Sequence, residues 1–413
     1  MRILVLSQTY VPDAPAVGQY MHDAAVELVR RGHEVDAVAA SRSYEDGSEA
    51  YPKRETLDGV EVRRLGLSSF GKGSIAVRLL GGGVFTARAG LRSLFGKKPD
   101  VVLVSTSPPM APLAALLLRR LRGVPFVFWA MDINPDQMVA MGKIGARSLP
   151  ARLFDAMIKR TLRRAACVVT LDRFMAERLL AKRAPGGRGG VLDVTPPWPM
   201  DGHLEPVPHD KNPFRAEHGF GDDVVVMYSG NISDAHPIDA VTEAIERVRG
   251  LPGIRFVFIG GGAGKRRIDD WIADKGLTHA STLPYQPLDR IRYSLSSADV
   301  HLVAMGEAMT GIVHPCKVYG VLKVHRPVLA VAPKTSHVAD IAGLGAGWSV
   351  APGDADAAEA LFRRLVTPEG RAELAEKTAA AAVVAQDFSR EKLCGWFCGR
   401  VEDAAARDAP PTG

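Results

Sequence analysis

Short apolar runs and amphipathic stretches alternate along most of this chain. The run 3–7 (ILVLS) predicts a buried strand, and 18–32 (GQYMHDAAVELVRRG) repeats its apolar residues at helical spacing. HEVDAVAA at 33–40 starts a second strand. Further strands are predicted at 100–105 (DVVLVS), 124–130 (VPFVFWA) and 167–171 (CVVTL), with helices at 110–122 and 172–183. Glycine and proline crowd the segment 183–202, where helical periodicity stops, so a linker is predicted there. Then the rhythm resumes. Strand-like segments at 224–230, 254–262, 278–287, 299–305 and 326–333 alternate with helices at 237–250, 264–276, 288–297 and 315–323. A last amphipathic helix at 388–406 carries Phe388, Leu393, Trp396, Phe397 and Val401, and 407–413 reads as a disordered tail.

Repeated β-α-β units build parallel sheets covered by helices on both faces. The expectation is an α/β protein of two doubly wound halves, 1–195 completed by the helix at 388–406, and 196–387. Ligands of such sheets sit at the carboxyl ends of the strands. Two halves facing each other across a cleft would hold a substrate there.

Length and charge narrow the picture. With 413 residues, each half is large enough to bury its own core. The apolar run 111–118 ends in RRLR, so no transmembrane segment is expected, and MRILVLSQTYVPD reads as a first strand rather than a signal peptide. Four cysteines in no CxxC pair suggest reduced thiols of a cytoplasmic protein. Cys394 and Cys398 lie one helical turn apart, but no His or further Cys stands nearby and no metal is expected.

A net charge of +6 favours anionic partners. Lys143, Arg147, Arg152, Lys159, Arg160, Arg163 and Arg164 face a single Asp between 143 and 164, which suits an anionic membrane surface, an anionic ligand or a solvated helix face. The stretch 71–98 mixes Leu, Phe and Val with Arg and Lys, as a helix pair at a membrane interface or plain core would. Nucleic acid is not expected, because the basic residues are not interleaved with aromatic ones.

Several strand-end segments carry candidate chemistry. Gly18 stands where a helix N-terminus could meet a phosphate or carboxylate, or where a turn needs to be tight. WAMDINPDQM at 129–138 places Asp132 and Asp136 after a buried strand. Asp132 could bond a sugar hydroxyl or accept a proton, and Asp136 could instead cap a helix. In YSGNISDAH at 228–236, Gly230 permits close backbone approach while Asn231 and His236 offer hydrogen bonds. Gly260 and Gly261 precede Lys265 in a glycine-rich turn suited to an anion, but the acidic partner of a dinucleotide site is absent. In the loop AMTGIVHPCK, Thr310 and Gly311 lead to a helix predicted to start at Pro315. With Lys317 they could cradle a diphosphate.

Nine ordered segments carry a family resemblance: RILVLSQTYVPD…GQYMHDAAVELVRRGHEV, STSPPM, WAMDINPD, ACVVTLD, YSGNISDAHPIDAVTEAI, RFVFIGGG, LPYQPLDRI, SADVHLV and HPCKVYGVLKVHRPVLAV. The chain resembles the GT-B glycosyltransferases, in particular the retaining family-4 group of polysaccharide and glycoconjugate biosynthesis. That resemblance implies two Rossmann-like domains facing across a cleft, an N-terminal acceptor domain and a C-terminal domain for an NDP-sugar, expected to be UDP-linked. The acceptor would be a glycan, a lipid-linked sugar or a small molecule at the cytoplasmic face, and no cofactor or metal would be required. It places the base near Tyr285 and Gln286 and the diphosphate on Gly311, Ile312, Val313 and Lys317. Asp132 and Lys317 would be the catalytic pair, and Gly18, Asp136 and His236 would serve the acceptor or a phosphate.

Three departures qualify this. The family's two glutamates fall at Ile312 and Gly320, its glycine before the proline falls at His325, and its cations after the first C-terminal strand are absent, with Asn231 near there. Glu307 lies out of register to replace a glutamate. Two other functions fit the same fold: an NDP-sugar 2-epimerase, and a non-catalytic nucleotide-sugar-binding subunit.

Overall fold

The computed structural model describes residues 1–13, 15–44, 47, 49–69, 75–183, 189–200, 204–232, 238–262 and 264–407. The chain forms two compact units. One comprises Met1–Pro197, Gly311–His314 and the chain from Arg390 onward; the other comprises Trp198–Thr310 and Pro315–Ser389.

In the first unit, β1 (Arg2–Leu6), α1 (Ala16–Arg30) and β2 (Glu34–Ala40) form the first β-α-β crossover. A hairpin of β3 (Arg54–Leu57) and β4 (Val60–Leu65) follows, then α2 (Ile75–Phe95) and β5 (Val101–Ser105). Next come α3 (Pro112–Arg122), β6 (Phe126–Ala130), α4 (Asp136–Ala140), α5 (Leu149–Arg164), β7 (Cys167–Thr170), α6 (Arg173–Lys182) and β8 (Val191–Val194). Among the described residues the strands of this sheet lie in the order β3-β4-β2-β1-β5-β6-β7-β8, and only the β3–β4 pair is antiparallel. Strands β5, β6 and β7 are buried at every residue, as an unbroken apolar run covered on both faces requires.

The second unit opens with α7 (Pro213–Glu217) and continues through β9 (Val224–Asn231), α8 (Asp239–Arg247), β10 (Ile254–Gly261), α9 (Lys265–Lys275) and β11 (Ala280–Leu283). It continues with α10 (Leu288–Ser297), β12 (Val300–Ala304), α11 (Lys317–Lys323), β13 (Val328–Val331), α12 (His337–Ile341) and β14 (Gly347–Val350). Helices α13 (Ala355–Leu365) and α14 (Pro368–Ala385) close it. Its six parallel strands run β11-β10-β9-β12-β13-β14 over a core that includes Phe256, Phe258, Phe362 and Leu329. Finally α15 (Arg390–Arg407) lies on the first unit. Phe397 rests 4.1 Å from the Trp129 ring. The Cys394 and Cys398 thiols donate to the Asp23 and Ala24 carbonyls, so both cysteines of this helix face α1.

The structure corrects four expectations. Residues 183–202 are not all linker: β8 adds an eighth strand there, its exposed residues having hidden it among the glycines. Among the described residues of the stretch 71–98 there is one helix, α2, rather than a pair. Helix α11 begins at Lys317, not Pro315. The β3–β4 hairpin was missed, although Asp58-Gly59 supplies the hairpin signal and both residues take positive φ, 48° and 83°. The tail 408–413 and His236 lie outside the described residues.

His325 follows α11 with φ 56°, the left-handed position that usually terminates a helix with glycine. The side chain departs from the expected glycine, but the backbone does not. His325→Gly should therefore stabilise the protein by roughly 1 kcal/mol, seen as a higher melting temperature.

Candidate functional site

The carboxyl ends of β9 and β10 stay paired to their last residues, Gly230 opposite Gly260 and Asn231 opposite Gly261. Here the glycines are dictated by space. A Cβ on Gly260 would overlap the Gly230 carbonyl, and one on Gly261 would lie 2.8 Å from the Tyr285 ring. Gly230 has φ 131°, and a Cβ there would sit 3.2 Å from the Lys317 amine.

Lys317 opens α11, and its Nζ lies 3.7 Å from the centre of the Tyr228 ring. That nitrogen is buried and has no hydrogen-bond partner among the described residues. Burial disfavours the ammonium and lowers its pKa from 10.5 to about 7. The face of the Tyr228 ring offsets part of this cost. The Tyr228 hydroxyl is turned away and donates to the Asn231 carbonyl at 2.7 Å. One unit thus brings together Gly230, Asn231, Gly260, Gly261, Tyr285 and Lys317. A lysine aimed at bare backbone suits an anion that needs close approach.

Lys265 is committed to Asp269 at 2.7 Å and to Thr282, so its charge is already matched. The Gln286 amide donates to the Pro284 carbonyl, two residues back. Thr310 follows a short turn, its N–H donating to the Glu307 carbonyl. Gly311, Ile312 and Val313 belong to the first unit. Gly311 has φ 66° and a Cβ there would lie 2.7 Å from the Phe174 carbonyl, while Ile312 accepts a hydrogen bond from the Ile133 N–H. His314 is hydrogen-bonded to Asp172 at 2.7 Å. Gly320 faces Leu204 and Leu295, in an apolar cluster with Val324, so a carboxylate at this position would meet hydrocarbon.

The first unit has its own cavity, about 380 Å³, at the carboxyl ends of β1, β5 and β6. Thr9, Thr106, Asp132 and Asn134 supply polar wall, Leu79, Met138 and Met141 apolar wall, and Arg78 and Lys143 positive charge. Desolvation raises the Asp132 carboxyl from 3.8 to about 6. Asp136 is not part of this wall. Its carboxylate lies 2.8 Å from Lys182 and 3.3 Å from Arg178, and so holds α4 against α6. Gly18 has a packing role as well, because a Cβ there would lie 2.9 Å from the Tyr10 backbone nitrogen where α1 approaches the end of β1.

Sequence reasoning missed Tyr228, whose signal was an aromatic residue directly before Ser-Gly-Asn. It also missed the buried hydrogen bond between Tyr319 and His337, at 2.7 Å, which joins residues with no local motif.

Two family models match in order: "Glycosyl transferase 4-like domain" over residues 16–195 and "Glycosyl transferases group 1" over 210–382. The chain carries both glycosyl transferase domains on a GT-B fold. The transferase is 26% identical over 335 residues to WcaI of Escherichia coli (strain K12), named for glycosyl transfer in colanic acid biosynthesis; the match covers 78% of this chain and 81% of that protein. Its fold is similar to sucrose-phosphate synthase from Thermosynechococcus elongatus, with TM-score 0.74 at 17% identity, covering 98% of this chain and 100% of that one. It is also similar to HepE of Anabaena in complex with UDP and glucose, with TM-score 0.70 at 15% identity and coverage of 98% and 100%. Among the described residues of the transferase, no helix is long and apolar enough to cross a membrane.

Proposed function

We propose that the transferase moves a hexosyl group from a UDP-sugar to a lipid-linked or other acceptor in surface-polysaccharide or glycoconjugate assembly, at the cytoplasmic face of a membrane. The anomeric configuration is retained, as in family 4. The observation that carries this reading is the buried, unbonded Lys317 amine at the glycine-lined strand ends. The donor diphosphate would approach the Gly230 and Gly260–Gly261 backbone and convert that amine into a paired ammonium. Tyr285, exposed beside Gly261, would lie along the base or sugar.

The acceptor would occupy the cavity of the first unit, with a hydroxyl beside the reacting one donating to ionised Asp132 and so orienting the reacting hydroxyl. The acceptor oxygen forms a bond to the anomeric carbon as the bond to the leaving phosphate oxygen breaks, and the acceptor proton passes to that phosphate. No cofactor or metal has a role in this scheme. The protein positions the reactants and stabilises the charge of the departing diphosphate. HepE, whose solved structure contains UDP and glucose, and WcaI, named for colanic acid synthesis, fit this reading.

A thermal-shift panel of UDP-, GDP-, ADP- and TDP-sugars tests it. A UDP-sugar should raise the melting temperature, by an amount equivalent to about 2.7 kcal/mol at a hundredfold excess over Kd. A panel in which no nucleotide sugar stabilises the protein would count against the donor assignment. Epimer formed from UDP-sugar without acceptor would redirect it to an epimerase.

A further inference from the structure

The outer edge of the first unit carries a cationic trough that neither the donor site nor the acceptor cavity uses. Arg54 and Arg63 stand directly opposite each other on β3 and β4, an arrangement that costs stability when nothing anionic lies between the side chains. Across from them, Arg88, Leu91, Arg92 and Phe95 follow the spacing of one face of α2. Two cavities, about 700 and 460 Å³, share Arg63 and Arg92 in their walls, and Leu4 and Val38 floor the larger.

The nearby carboxylates have other partners, Glu61 accepting from the Thr56 hydroxyl. Asp36 and Glu34 pair with Arg2, and Glu55 pairs with Arg64. Lys53, Arg54, Arg63, Arg88, Arg92 and Lys97 line the trough without an ion pair among the described residues. Desolvation, followed by repulsion from Arg63 and Arg54, holds Arg92 below the ordinary arginine range. Three large apolar side chains project beside these cations: Phe95 is 83% exposed, Leu67 70% and Leu91 55%.

We propose that this trough is the protein's docking surface for an anionic bilayer, with Phe95, Leu91 and Leu67 entering the interface and the arginines holding lipid phosphates. A soluble phosphate would satisfy the cations but leave the apolar side chains in water; a bilayer surface satisfies both. The opposite end of α2 supplies Arg78 and Leu79 to the acceptor cavity, so one helix carries both the docking face and part of that cavity. Docking concerns where the protein sits and the transferase reading what it turns over, so either can fail without the other.

The experiment is flotation of the full chain with phosphatidylcholine vesicles, with and without phosphatidylglycerol. Wild type should float only with the anionic vesicles. Each basic residue at such a surface multiplies binding about fivefold, so Arg63→Glu with Arg92→Glu should lose at least roughly twenty-five-fold. The control, Arg163→Glu with Arg164→Glu at the exposed end of α5, should float like wild type. Melting curves check folding, and if the reversal fails to fold, Arg63→Gln with Arg92→Gln and separately Phe95→Ser carry the test. The proposal is overturned if wild type does not float, if the trough variants float as wild type does, or if the α5 control loses as much. Stabilisation by pyrophosphate through Arg63 and Arg92, without flotation, would also overturn it in favour of a soluble ligand.

Discussion

Lys317→Met is expected to weaken UDP-sugar binding about ten- to a hundredfold and, at the same moment, to make the empty protein more stable. The loss follows from removing a charged partner of the diphosphate, worth roughly 1.5–3 kcal/mol. The gain follows from removing a buried amine that has no hydrogen bond among the described residues, and methionine fills a similar unbranched space. An unsatisfied buried polar group costs about 1–3 kcal/mol, enough to shift the melting temperature by several degrees.

The pH dependence carries the same sign. Since the folded pKa is lowered from 10.5 to about 7, the unfolded chain holds a proton across that window that the folded chain lacks. Stability therefore rises with pH between those values and the methionine variant should not show the rise. Donor affinity moves oppositely, falling up to about tenfold per pH unit above 7, because binding then requires proton uptake. Isothermal titration in buffers of different ionisation enthalpy would measure that uptake. An unchanged donor affinity in the variant would remove Lys317 from the site.

Asp132→Asn should lower kcat/KM for transfer about a hundredfold while leaving the donor thermal shift as in wild type. The carboxylate orients the acceptor hydroxyl, and loss of that alignment alone is enough for an effect of this size. Because the folded pKa is about 6, wild-type activity should rise about tenfold per unit as pH approaches 6 and level off above it. The asparagine variant should lack that limb. The stability sign is opposite to the usual carboxylate: the folded form keeps its proton between 3.8 and about 6, so stability grows as pH falls through that window. A variant that keeps the acid limb, or loses donor binding as well, would show that Asp132 does not act on the acceptor.

Much of the frame was legible because burial on both faces leaves a simple mark. Strands such as VVLVS and FVFWA are continuous apolar runs, and the helices between them repeat every three to four residues. Of the strands that escaped notice, β3 and β8 are edge strands with exposed residues, where the periodic signal is weakest. Within the candidate site, Gly230, Gly260 and Lys317 were readable from glycine and charge at strand ends. Lys265 read equally well, but its own helix supplies Asp269 one turn on.

The sequence by itself determined two parallel α/β halves, the strand ends where ligands would collect, and the helix that returns at the end of the chain. Those properties follow from local periodicity and from the handedness of the β-α-β crossover, which need no knowledge of distant partners. Only the tertiary structure decided which polar groups were left over. It buried the Lys317 amine on Tyr228, a residue far back along the chain, turned Gly320 toward Leu204 and Leu295, and sent Asp136 to Lys182. Whether a charge is neutralised inside the fold or kept for a ligand depends on what folding brings beside it, and that is set by packing across the sheet rather than by neighbours along the chain.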